Sequence, residues 1–260
     1  ASNEEKRDIL TKIMNEYKSE GQDLRSSFIR FILEYNIKLD TYDKNLFLEY
    51  LKYPLSSSHL LHNEPSSYQS DRWSHYFEKL KLSNRYSDQE LYRRHLHHFY
   101  EQGDNWKDFT KFFDKDWLNR LRIEYDFLAN KKVPEKDLAL IPADVLNKQV
   151  LIELSDTNKE RFKADERVSI TANLKNVPTL YIKVFEFNTL NYFRKTKAPF
   201  KTDVNLDGLI ATKELVYEYS EPPQKKFRNV FEFPHLDDKV GIFIVEFIAN
   251  GYSSRATIKK

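Results

Sequence analysis

Residues 168–187, VSITANLKNVPTLYIKVFEF, decide the fold of the second half of this 260-residue chain. Val168, Ile170, Ala172 and Leu174 alternate with Ser169, Thr171 and Asn173, the period of two expected of a strand with one face in a core and one in water. The run TLYIKVFEF (179–187) continues as a second strand after a turn. Outward from this pair, VLIELS (150–155), LVYEYSE (215–221), KFRNVFEF (226–233), VGIFIVEFI (240–248) and SSRATIKK (253–260) carry strand composition. Asn250-Gly251 between the last two is a hairpin signal. Seven short strands separated by turns predict an antiparallel β-sandwich.

Upstream the period changes to three and four, the spacing of helices. Ile9, Ile13 and Tyr17 form one stripe, and Leu24, Phe28, Phe31, Ile32 and Tyr35 a second. Leu46, Leu48, Leu51 and Tyr53 follow Asp40 or Thr41 as a cap, and Pro54 with Ser56–Ser58 breaks the pattern. The stretch from Leu55 to about Ser67 reads as a loop. Trp73, Phe77 and Leu80 begin another helix, and Ser87 with Glu90 spells a capping box ahead of Leu91, His95 and His98. A last stripe runs through Phe109, Phe112, Phe113, Trp117, Leu121, Tyr125 and Leu128. The expected class is two-part α+β: a helical domain over 1–132, a linker over 133–147 marked by Pro134 and Pro142, and an antiparallel immunoglobulin-like sandwich over 148–260.

The sandwich region resembles the macroglobulin-like domain of alpha-2-macroglobulin-type proteins over about residues 148–260. The likeness rests on NVPTLYIKVFEFNTLNYF, the LDGL turn, a polar strand, and the ending FEFPHLDDKVGIFIVEFIANGYSSRATIKK. The helical half is similar only to segments adjoining such domains in large bacterial and protist proteins. The resemblance implies a structural or partner-binding module without reaction chemistry. Protease trapping does not carry over, because the thioester of that family needs a cysteine and this chain has none.

Composition narrows the function classes. With 42 basic and 40 acidic residues the chain has no general attraction for nucleic acid or an anionic membrane. Zero cysteines removes disulfides, thiolate metal sites and cysteine nucleophiles. Of five glycines the closest pair is Gly241 and Gly251, so no glycine-rich phosphate loop, dinucleotide fingerprint or nucleophile elbow exists. No apolar run reaches membrane-spanning length, no signal peptide opens the chain, and no Asn begins a glycosylation acceptor. The chain reads as soluble, with its compartment and oligomeric state open. It begins at Ala1 and its single methionine is Met14, so the expectation is a piece of a larger protein.

One stretch carries ligand chemistry. DVNLDGLIATKE (203–214) meets the calcium-loop pattern of an EF-hand: Asp203, Asn205 and Asp207 at positions one, three and five, Gly208 at six, the Leu209 carbonyl at seven and a bidentate Glu214 at twelve. The setting conflicts with the pattern, since Pro199 would interrupt an entering helix and Leu215, Tyr217 and Tyr219 alternate as a strand. The alternative is a strand-connecting turn in which Leu206, Leu209 and Ile210 plug the sandwich edge.

Six of the seven histidines lie between His59 and His98, with His95 and His98 on one helical face, a spacing that could hold a metal or titrate near neutral pH. No HExxH or other recognisable zinc pattern completes it. Basic residues collect at Arg194, Lys195, Lys197 and Lys201 and at Lys225, Lys226 and Arg228, as solvated loop ends or an anionic-partner patch. Asp237 and Asp238 fall in an apparent turn, and no catalytic triad has a local signature. The leading expectation is a non-enzymatic structural or protein-interaction piece with no resident cofactor, whose partners are a protein or neighbouring domains of the parent chain. Two alternatives are a calcium-regulated binding module using 203–214, and a metal-dependent or hydrolytic enzyme centred on the histidine-rich helices.

Overall fold

The computed structural model describes residues 3–16, 22–54, 60–61, 86–188, 194, 197, 204–206 and 208–260. The helix expected from Trp73, Phe77 and Leu80, most of the loop at 55–67, Tyr17, His59, His62, His75, Lys195, Lys201, Asp203 and Asp207 lie outside them. The chain divides into two compact units, residues 1–125 and 126–260.

The first unit is helical: α1 (Asn3–Glu16), α2 (Gln22–Leu39), α3 (Lys44–Tyr50), α4 (Asp88–Glu101), a 3-10 turn (Trp106–Phe109) and α5 (Lys115–Leu128), which continues past the division. α2 is its centre. From Ser26 to Ile37 every residue is buried, so this helix is covered all round rather than along one stripe. Phe28, Phe31, Ile32 and Tyr35 are buried as their spacing requires.

Three local expectations change. α1 buries Leu10 and Met14, with Ile13 partly buried against the same core, while Ile9 is on the exposed side. The cap of α3 is Asp43, whose carboxylate accepts from Leu46 N at 3.0 Å, not Asp40 or Thr41. The stripe from Phe109 to Leu128 spans two elements, because Asp114 accepts from Trp117 N at 2.8 Å and starts α5 afresh. Ser87 caps α4 as expected, accepting from Glu90 N at 3.2 Å, and the Glu90 carboxylate accepts from Arg94 one turn on.

The second unit holds two short helices, α6 (Glu135–Leu138) and α7 (Ala143–Lys148), and a sandwich of seven antiparallel strands. β1 (Leu151–Leu154), β2 (Ser169–Lys175) and β5 (Lys226–Glu232) form one sheet in the order β1-β2-β5. β3 (Thr179–Phe187), β4 (Lys213–Glu218), β6 (Ile242–Ala249) and β7 (Tyr252–Lys259) form the other, in the order β4-β3-β6-β7. All seven strands read from the alternation are present. Ile170, Ala172, Leu174, Leu180, Ile182, Val184, Phe231, Phe243, Val245 and Phe247 fill the space between the sheets. The turn between β6 and β7 has φ of 48° at Asn250 and 79° at Gly251, the left-handed pair that Asn-Gly supplies at least cost.

Residues 126–149 belong to the sandwich's unit. Lys175, 1% exposed, turns its ammonium onto the carbonyls of Leu146 and Gln149, and Asn176 donates to Lys148 O at 3.1 Å. Burial lowers the Lys175 pKa, and the carbonyl oxygens at the end of α7 are its acceptors. Gln224 donates to Asn130 Oδ1 at 2.8 Å.

Candidate interaction surface

The outward face of the four-stranded sheet is ordered in transverse rows by its register. Phe185, Ile244 and Thr257 stand side by side in the first row. Phe185 and Ile244 are buried although they point away from the sandwich core, because Leu206 packs on them with Phe187 and Ala211. The chain at 204–206 is held there by Arg255, whose Nη1 donates to Val204 O at 3.2 Å.

In the second row Glu214, Lys183, Glu246 and Arg255 alternate in charge across all four strands. Arg255 meets Glu246 at 2.7 and 2.8 Å, and Lys183 meets Glu214 at 3.4 Å. The third row is Val216, Tyr181, Ile248 and Ser253. Here no described residue plays the part of Leu206: Tyr181 is 49% and Val216 56% exposed. One end of the face is therefore sealed, its middle is charge-compensated, and its other end is apolar, aromatic and exposed.

The sandwich's lateral edges are equally unlike. On the β1/β7 side Ser254 Oγ donates to Ile152 O at 2.5 Å, Lys259 N donates to Glu160 O at 2.7 Å and Phe162 N to Lys259 O at 2.9 Å. On the other side lie β4 and β5, each paired on one flank among the described residues. On β5 the Val230 N–H is taken by Asn229 Oδ1 at 3.1 Å.

Of the sequence-derived ligand set, Asn205, Leu209 and Glu214 are described. Asn205 lies in the strap between Val204 and the buried Leu206, and Gly208 has a φ of 77°, the left-handed turn expected at the sixth loop position. Glu214 is the second residue of β4, so a strand follows the loop where an EF-hand needs a helix. Leu209 and Ile210 are exposed rather than plugging the sandwich edge, and the buried Leu206 packs on the outer face of the four-stranded sheet instead. Among the described residues no three His, Asp or Glu side chains are grouped to hold a metal ion.

The described histidines of α4 serve as aromatic rings. His95, fully buried, stacks on Phe47 with centroids 4.8 Å apart and its Nδ1 is 2.9 Å from Leu91 O, which leaves Nε2 with no partner. Burial first, and His98 nearby, lower its pKa to about 4 despite the bond to Leu91. His98 stacks on Tyr42 at 3.9 Å, and His97 packs by Tyr125 at 5.5 Å. Elsewhere Lys225 pairs with Glu221 and Lys226 with Glu153, as solvated charges of the β4–β5 turn and β5.

Strand alternation alone does not bring the outward rows together, yet they carry a signal. TLYIKVFEF places Tyr181, Phe185 and Phe187 at the outward positions of its own alternation, more apolar surface than a fully solvated face carries.

These features define a helical domain joined to an immunoglobulin-like sandwich. The sequence model described as the Actin-binding protein F N-terminal domain matches residues 11–149, and that of the AbpF first immunoglobulin-like domain matches 180–260. The chain belongs to the actin-binding protein F N-terminal domain family. It is 33% identical over 235 residues to Actin-binding protein F of Dictyostelium discoideum, covering 88% of this chain and 10% of that relative. The chain thus spans about a tenth of the length of the curated relative it matches. No solved structure matches it significantly. The immunoglobulin-like sandwich is supported; the macroglobulin-like label gains no support. Strands β1 and β2 fall between the two matched segments, yet β2 is the central strand of its sheet. No described helix is long and apolar enough to cross a membrane.

Proposed function

We propose that this chain is a non-enzymatic protein-binding module of an actin-associated protein, and that the open end of the sandwich's outer face is its contact surface. The observation that carries the reading is the third row, where Tyr181 and Val216 stay exposed on a rigid sheet whose first row is covered. Actin is the partner named for the relative, so filamentous actin is the first partner to test. Co-sedimentation with actin filaments should pellet the protein, and Tyr181→Ser with Val216→Ser should weaken pelleting about tenfold or more, the scale of losing a central aromatic anchor. Tyr53→Ser, on the exposed surface of the helical unit, serves as control and should pellet like the parent. Equal pelleting of all three proteins would remove the outer face from the account; no pelleting at all would remove actin.

A second reading rests on the left-handed Gly208 beside the strap. Calcium held by Asp203, Asn205, Asp207, the Leu209 carbonyl and Glu214 would order the loop that Leu206 anchors. Calcium at about 100 times its dissociation constant should then add about 2.7 kcal/mol of stability, lost in Asp207→Ala. An unchanged unfolding midpoint in both proteins would reduce 203–214 to a connecting turn.

A further inference from the structure

We infer that β4 is a strand-addition site that takes an extended protein segment bearing basic residues on either side of an apolar one. The inference rests on the protein-binding reading above and gives it a partner chemistry.

Backbone alternation sets which groups of β4 are available. Tyr219 N donates to Pro178 O at 2.9 Å, so the residues of β4 that share its parity, Leu215 and Tyr217, turn their N–H and C=O toward β3. Glu214, Val216 and Glu218 turn theirs to the free edge, and no described group bonds them. The other three strand edges are blunted: β7 by residues 160–162, β1 by Ser254, and β5 by Asn229 on Val230 N–H. Among the described residues, Glu214 and Glu218 are the only edge-blunting charges that flank the centre of β4, with Lys213 at its start. The strand contains no proline, no bulge within Lys213–Glu218, and at its centre the exposed Val216 rather than a lysine.

Charge complementarity selects the occupant. The three edge residues read acid, apolar, acid, and all are exposed. An antiparallel strand added here places alternate residues opposite Glu214, Val216 and Glu218, within cross-strand reach. The sequence that fits is Lys-x-Val-x-Lys, its valine covering Val216 beside Tyr181.

The test uses the whole chain and the peptide acetyl-Thr-Lys-Thr-Val-Thr-Lys-Thr-amide, read by amide NMR shifts and hydrogen exchange. Binding should shift and protect the amides of Glu214, Val216 and Glu218, while a peptide with glutamates for both lysines should bind about tenfold more weakly. Val216→Pro removes one outward N–H and no bond to β3, so it should stay folded and lose binding by about five- to tenfold. Glu214→Lys with Glu218→Lys should reverse the preference to the acidic peptide. Amide protection that survives Val216→Pro, or shifts confined to the outer face without edge protection, would overturn the proposal. So would silence at millimolar peptide in a protein that still pellets with actin. Peptide binding without actin pelleting would keep the edge site and remove actin as the partner.

Discussion

Arg30, Glu34 and Asp88 form a charge network out of water in the helical unit, whereas Glu214, Lys183, Glu246 and Arg255 form one across the surface of the sandwich. Arg30 donates to Asp88 at 2.8 Å, to Glu34 at 2.7 Å and to Tyr86 O at 2.7 Å, tying α2 to the start of α4. Burial works against its charge, but Asp88, Tyr50 and Glu34 outweigh it and hold the guanidinium more firmly protonated. The sandwich's row is more open: Lys183 and Glu214 are 39% and 62% exposed. A buried network fixes which helices meet, and an exposed row leaves a face that a partner can cover. The difference separates a unit whose polar residues specify its own fold from one whose polar residues face outward.

The largest expected effect breaks the buried side of this contrast. Arg30→Ala leaves two carboxylates without their cation and should cost about 3–5 kcal/mol of stability. Lys183→Ala should cost under about 1 kcal/mol, being an exposed pair. Denaturant melts of the two variants decide it, and similar losses would erase the distinction.

His95 gives the next largest effect. Its folded pKa of about 4 lies below the unfolded 6.5, so the unfolded chain takes up the proton first. Stability is intact above about pH 6.5 and falls as the pH drops toward 4, by up to about 3 kcal/mol, then levels off. His95→Phe should flatten that slope between pH 6.5 and 4; an unchanged slope would mean another group carries it.

Lys175→Met sharpens the comparison within the sandwich's own unit. It removes a buried charge but strands the carbonyls of Leu146 and Gln149, so a cost of about 1–3 kcal/mol is expected. Faster amide exchange over 143–149 than over the β6–β7 hairpin would localise the loss. Uniform exchange would show that these bonds do not hold α7 separately. The smallest effect belongs to the open row: Tyr181→Ser should shift stability by less than about 1 kcal/mol, since its ring is half exposed.

The same contrast explains how much was legible in the sequence. The sandwich was readable strand by strand because each core-facing residue alternates with an outward one, and Asn250-Gly251 demands a turn that few other pairs make. In the helical unit the Ser87 cap of α4 and the buried Phe28, Phe31, Ile32 and Tyr35 of α2 were readable, but the packing around them was not. α2 is buried on every side, so its polar residues Arg30, Glu34 and Asn36 follow pairing rather than a stripe. In α1 the stripe through Ile9 and Ile13 suggested a face that packing centred on Leu10 and Met14, with Ile13 at its margin and Ile9 exposed. The proposed contact face was hidden for another reason. Its rows join Val216, Tyr181 and Ile248 from three strands, and their meeting depends on register, which a single strand's alternation does not specify.

Hydrogen exchange of the whole chain with and without actin filaments tests the central claim most directly. The account predicts protection at 179–183, 213–218 and 248–253, the strands that carry the open row and its free edge. Protection confined to the helical unit, with those three segments unchanged, would contradict it.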